Sequence, residues 1–131
     1  MIVLDTNAWI RWVAAPELLT VRAREAIETE EPRRGLVVSV ISAWEVAVKA
    51  RKGKLDVGGP IDSWIAAAVR YPGIVLYALD LEEAVASTNL PGRFHDDPAD
   101  RMIIALARRL GAPMVTADRA IRRYRHVETI W

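Results

Sequence analysis

Cysteine is absent from the chain, which excludes disulfides, thiolate metal sites and cysteine nucleophiles. Histidine is scarce, with only His95 and His126. A metal site would therefore rest mainly on oxygen ligands, a donor set that suits hard cations such as magnesium. No apolar run approaches the roughly 20 residues that span a bilayer, and Ile2-Val3-Leu4 opens the chain where a leader would place basic residues and a long apolar stretch. The expectation is a soluble cytoplasmic protein with no membrane attachment. Net charge is nearly absent as well, at +1, yet it is unevenly spread: residues 101–131 carry seven arginines against Asp118 and Glu128. That asymmetry suits a face that meets phosphates, and it equally describes a solvated helix surface.

What is present is apolar material in quantity, 52% of 131 residues, enough for a full core in one domain spanning 1–131. Short β-branched runs at roughly 2–4, 36–40, 74–79, 113–116 and 127–130 alternate with helical segments at roughly 7–14, 17–30, 42–52, 61–71, 81–88, 98–110 and 118–124. Continuous apolar strands alternating with helices predict an α/β fold, a mostly parallel sheet covered on both faces. Gly53 and Gly111 follow helices ending in basic residues, where left-handed C-caps belong.

Four acids stand at the junction between a strand's end and the following helix, the place where α/β folds build sites. Asp5 closes I-V-L-D-T-N, Glu45 lies in S-A-W-E after the second strand, Asp100 opens the long helix in D-P-A-D-R, and Asp118 follows M-V-T-A. Carboxylates brought together repel one another and raise each other's pKa. A divalent cation removes that penalty, polarises a phosphoryl oxygen and acidifies a bound water, as phosphodiester hydrolysis requires. Each acid has a second reading as a helix cap. Ser42-Ala43-Trp44-Glu45 fits a capping box, and Asp97-Pro98-Ala99-Asp100 fits an N-cap, a proline at the first helical position and an acid at the third. The two readings are compatible, because helix N-termini aimed at one point also stabilise clustered negative charge.

The strings I-V-L-D-T-N, S-V-I-S-A-W-E-V-A-V-K-A-R-K-G-K-L, L-P-G-R-F-H-D-D-P-A-D-R-M-I-I-A-L-A and M-V-T-A-D-R-A-I-R-R-Y together resemble PIN-domain ribonucleases, and among them the VapC-like toxins of toxin-antitoxin pairs. They run in the family's order over nearly the whole chain. The resemblance implies a three-layer α/β/α PIN-like fold and a Mg2+- or Mn2+-dependent endoribonuclease. Asp5, Glu45, Asp100 and Asp118 would be its catalytic and metal-binding quartet. Thr6 or Asn7 would support Asp5, Thr116 would hold a water or a neighbouring carboxylate, and Asp97 would cap its helix, touch the metal through water, or do both. It further implies a homodimer and a cognate VapB-like antitoxin, with Trp9, Trp12 and the helix starting near Glu17 as candidate contacts. The chain departs from many relatives in carrying Asn7 in place of a histidine and Ala99 in place of a phenylalanine; neither change removes a carboxylate.

Arg101, Arg119, Arg122 and Arg123 near the late acids, with Lys49 and Lys52 after Glu45, are candidates to carry an RNA backbone past the metal. His95 lies close to Asp97 and is read as an incidental loop residue or a substrate contact. An aspartate-nucleophile phosphatase would want a second acid where Asn7 stands, and a receiver module would want a lysine after Met114–Thr116. A PIN fold that binds RNA or a partner without cutting is the remaining alternative.

Overall fold

The first strand already demands two covered faces, because successive side chains of a strand point to opposite sides and Ile2, Val3 and Leu4 are all buried. In the computed structural model, which describes residues 1–131, those faces carry separate cores. Ile2 and Leu4 join one cluster, and Val3 joins the other.

Five strands, β1 (Ile2–Leu4), β2 (Leu36–Ser39), β3 (Ile74–Tyr77), β4 (Met114–Val115) and β5 (Thr129–Ile130), form a sheet in the order β3-β2-β1-β4-β5. Every pairing is parallel, with Val3 opposite both Val37 and Met114. The first face is covered from α1 (Thr6–Ala14) by Trp9, from α2 (Val21–Glu30) by Ile27, from α3 (Val40–Arg51) by Val46 and from α4 (Ile61–Ala68) by Ala68. The other is covered by Ile103, Ile104 and Leu106 of α6 (Pro98–Leu110) and by Ile121 of α7 (Arg119–Arg123), with α5 (Leu81–Ser87) packed beside α6. The result is the expected three-layer arrangement. The chain leaves β1 toward β2 and β3, then returns to β4 and β5 on the other side. The carboxyl ends of β1 and β4 thus flank a topological switch point, where open α/β sheets leave a crevice.

Several boundaries differ from the sequence reading for local reasons. The helix expected over 17–30 is broken into a 3-10 turn at Pro16–Leu18 and α2, because the Thr20 hydroxyl accepts the Ala23 amide at 3.1 Å and caps a new start. Strand β3 stops short of Leu79, where Asp80 caps α5 by accepting from the Glu83 amide at 2.8 Å. The capping box at Ser42 does not form. The cap of α3 is Ser39, whose hydroxyl accepts the Ile41 amide at 3.1 Å, and Ser42 lies inside the helix. Gly111 has φ 60° at the end of α6, as the C-cap reading requires. A Cβ at Gly73 would stand 2.7 Å from the Glu31 backbone at φ +79°, so only glycine fits.

Candidate active site

At the switch point lies a cleft of about 250 Å³ lined by Asp5, Thr6, Asn7, Glu45, Lys49, Asp97, Asp100, Asp118 and Ile121. The topology thus brings the four predicted acids together, with Asp97 as a fifth. Three of the five also serve as helix caps. Asp5 accepts from the Ala8 amide at 2.7 Å, Asp97 from the Asp100 amide at 2.9 Å, and Asp118 from the Ile121 amide at 3.0 Å. Capping leaves a carboxylate with a second oxygen and spare lone pairs, so the two readings of these acids hold at once.

Glu45 is held differently. Its Oε1 lies 2.5 Å from Thr6 Oγ1, which is also 2.9 Å from Ser42 Oγ. A hydroxyl has one proton to give. Thr6 donates it to the charged acceptor, and the buried Ser42 hydroxyl completes the pair. Of the two residues expected to support Asp5, Thr6 or Asn7, Thr6 gives its hydroxyl to Glu45. The Thr116 hydroxyl is near enough to Asp5 to lower its carboxyl, and its Oγ1 accepts the Asp118 amide at 3.0 Å. This fully buried hydroxyl thus lies beside the first acid and bonds the backbone of the last.

Burial raises the Asp5 carboxyl above its ordinary value; the Thr116 and Ala8 hydrogen bonds pull it back, and Asp118 and Glu45 add to the rise. Asp100 is pushed up to about 7 by burial first, then by Asp97, Glu45, Asp118 and Asp5. A carboxyl poised near neutrality among four others is what a cation-binding cluster does without its cation. No three of these side chains stand in a ligating arrangement about one point as they lie. Magnesium does not demand that, since it keeps several waters and takes one or two carboxylates directly. The all-oxygen donor set and the mutual repulsion at Asp100 both fit such an ion.

His95 reaches the acidic residues from the loop before α6. Its Nδ1 accepts the Asp97 amide at 3.2 Å, which leaves the proton on Nε2, 3.4 Å from Asp100 Oδ2. Its ring packs on Phe94 with centroids 4.0 Å apart. The imidazole thus sits behind Asp100, and its only sequence signal was its position two residues before Asp97. Ser42, which the sequence offers as a helix cap, instead touches Thr6 from within α3.

The basic candidates divide. Lys49 lines the acidic cleft, while Lys52 lies exposed at the end of α3. Arg101 does not line the cleft: its guanidinium donates to the carbonyls of Ser87 at 2.8 Å, Phe94 at 3.0 Å and His95 at 3.2 Å. Those three bonds make it a clamp on the loop before α6. Arg119, Arg122 and Arg123 line a separate cleft.

Comparison with known proteins agrees with this arrangement. The family model of the PIN domain matches residues 2–127. The chain is 35% identical over 135 residues to ribonuclease VapC22 of Mycobacterium tuberculosis, covering 99% of this chain and 98% of that protein. A solved toxin-antitoxin complex from Klebsiella pneumoniae shares the fold, with a TM-score of 0.65 at 18% identity over 97% of this chain and 95% of that one.

Proposed function

The chain belongs to the PIN-domain family, and from that premise we propose that it is an endoribonuclease, the toxin of a toxin-antitoxin pair, which hydrolyses RNA phosphodiester bonds at the acidic cleft. The observation that carries this reading is the gathering of Asp5, Glu45, Asp97, Asp100 and Asp118 in one cleft at the switch point. Similarity to a ribonuclease over almost the entire chain supports the substrate class.

Asp5, Glu45, Asp100 and Asp118 are the residues that would hold Mg2+ or Mn2+. Such an ion supplies Lewis-acid polarisation of the phosphoryl oxygen and lowers the pKa of water. The remaining tasks fall to the protein. The helix N-termini behind Asp5 and Asp118 offset concentrated negative charge, Thr116 holds the backbone at Asp118, and Thr6 with Ser42 orients Glu45. Without an ion the Asp100 carboxyl is raised to about 7 by burial and the neighbouring acids; a cation among them would favour its charged form, as a ligand requires. Lys49, at the cleft wall, is placed to meet a phosphate oxygen.

The same reading takes residues 1–131 as one PIN domain acting in the cytoplasm; no helix is long and apolar enough to cross a membrane. It includes a homodimer, and also a VapB-like antitoxin as partner, the latter in keeping with a fold shared with a toxin-antitoxin complex. The test is cleavage of single-stranded RNA by the purified protein with magnesium or manganese. Asp5→Asn or Asp100→Asn should lower the rate by about 10²–10³-fold, the range for loss of one group that stabilises transition-state charge, with the melting transition retained. Wild-type rates in both variants, or RNA binding with no cleavage by the wild type, would defeat the proposal.

A further inference from the structure

Helix α7 divides two clefts of opposite charge. Ile121 faces the acidic one, while Arg119, Arg122 and Arg123 line a second cleft of about 450 Å³ together with Arg22, Thr129 and Trp131. No acidic residue lines this second cleft, and none of its four arginines takes part in any of the molecule's ion pairs. All four are exposed. Arg22 comes from α2, so the fold has added a distant fourth guanidinium to three that the sequence already grouped. A fifth, that of Arg11, lies over the Trp131 ring 5.3 Å from its centroid and holds the indole wall. Like charges gathered with no acidic side chain among them repel. An anion seated among them removes that penalty, and the planar guanidinium fork matches phosphate oxygens.

We infer that this cleft binds the backbone phosphates of a single-stranded RNA whose scissile bond lies in the acidic cleft. The inference rests on the ribonuclease reading and adds a second site to it. Asp118 caps α7 on the acidic side, and Arg122 stands one helical turn of about 5.4 Å further on. A polyanion entering the acidic cleft meets five carboxylates there. Neutralising the phosphates beside the scissile one at the arginine cleft offsets that repulsion, and the shared wall sets a fixed path from one site to the other. An acidic protein segment would find the same charges, but it has no need of the neighbouring carboxylates, whereas a substrate must reach both.

The test compares the cleavage-defective Asp100→Asn protein with the same protein carrying Arg22→Ala and Arg122→Ala, each titrated with fluorescent single-stranded RNA across a salt series. Each lost phosphate contact removes about 0.7 from the slope of log affinity against log salt, so the double change should reduce the slope by about 1.4. Arg33→Ala, outside the cleft and paired with Glu30, should leave it alone. An unchanged slope in the double variant overturns the proposal. So does an unchanged slope accompanied by lost binding of a polyglutamate peptide, which would assign the cleft to an acidic protein partner. If the wild type cuts no RNA yet the slope falls as stated, the ribonuclease reading fails while the phosphate cleft stands. If RNA is cut and the slope holds, the reverse is true.

Discussion

Thr6 Oγ1 lies 2.5 Å from Glu45 Oε1, joining the first turn of α1 to the middle of α3 across the acidic cleft. Thr6→Val keeps the shape and removes the donor, leaving a part-buried carboxylate short of a hydrogen bond at about 1–3 kcal/mol. RNA cleavage should fall about tenfold or more, equivalent to 1.4 kcal/mol lost where Glu45 must be oriented. Thr6→Ser should restore it. Equal kcat/KM for the valine and serine variants would show that the contact orients nothing that matters.

Ser39 and Ser42 should separate by function. Ser39 caps α3, so Ser39→Ala should destabilise the fold by about 1 kcal/mol. Ser42 caps nothing and touches Thr6, so Ser42→Ala should act mainly on cleavage through the Thr6–Glu45 pair. Denaturant melts beside initial rates check both. A stability loss at Ser42 without a rate effect would contradict the assignment.

The metal-free protein should lose stability with rising pH through Asp100. Its carboxyl, ordinarily 3.8, is raised to about 7 by burial and neighbouring acids, so between those values the folded state holds a proton that the unfolded chain has released. The stability tied to that proton is fully present below 3.8 and is lost progressively as pH passes through about 7. In chelator, the wild type should therefore melt lower at pH 8 than at pH 5 relative to Asp100→Asn, which lacks the titrating group. Parallel curves for the two proteins would contradict the raised value.

Millimolar manganese should raise the melting temperature of the wild type, since a ligand that binds only the folded state stabilises it. The gain should shrink in Asp5→Asn, Asp100→Asn and Asp118→Asn alike. Because no three acids are prearranged around one point, the increase also reports side chains drawn inward by the ion. A melting temperature indifferent to manganese would count against a metal site in this cleft.

Arg101→Ala should destabilise the protein by about 2 kcal/mol, because three backbone carbonyls lose a charged donor. The salt dependence of RNA binding should stay as in the wild type. A reduced salt slope would return Arg101 to the substrate-binding residues.

The acids were legible because strand ends and helix starts are local patterns: Asp5, Asp97 and Asp118 each cap the helix that follows within a few residues. Ser42 was misread for the same reason. A Ser three residues before a Glu is a capping signal in sequence, yet the helix starts earlier, at Ser39, and Ser42 finds its partner 36 residues away in Thr6. The approach of His95 to Asp100 and the bonds of Arg101 to the loop before α6 were not legible, since contacts across a loop leave no periodic trace.

The amino-acid order alone determined the alternation of apolar strands with helices, the two-faced burial of β1 and the position of the four acids at the edge of the sheet. These follow from side-chain period and capping chemistry, which act over a few residues. Tertiary structure decided which hydroxyl serves which acid and how far the Asp100 carboxyl is raised. It also decided that Arg22 joins Arg119, Arg122 and Arg123 opposite the acidic cleft. Those outcomes depend on desolvation and on charges meeting across elements distant in the chain, and they exist only once the parallel sheet has closed.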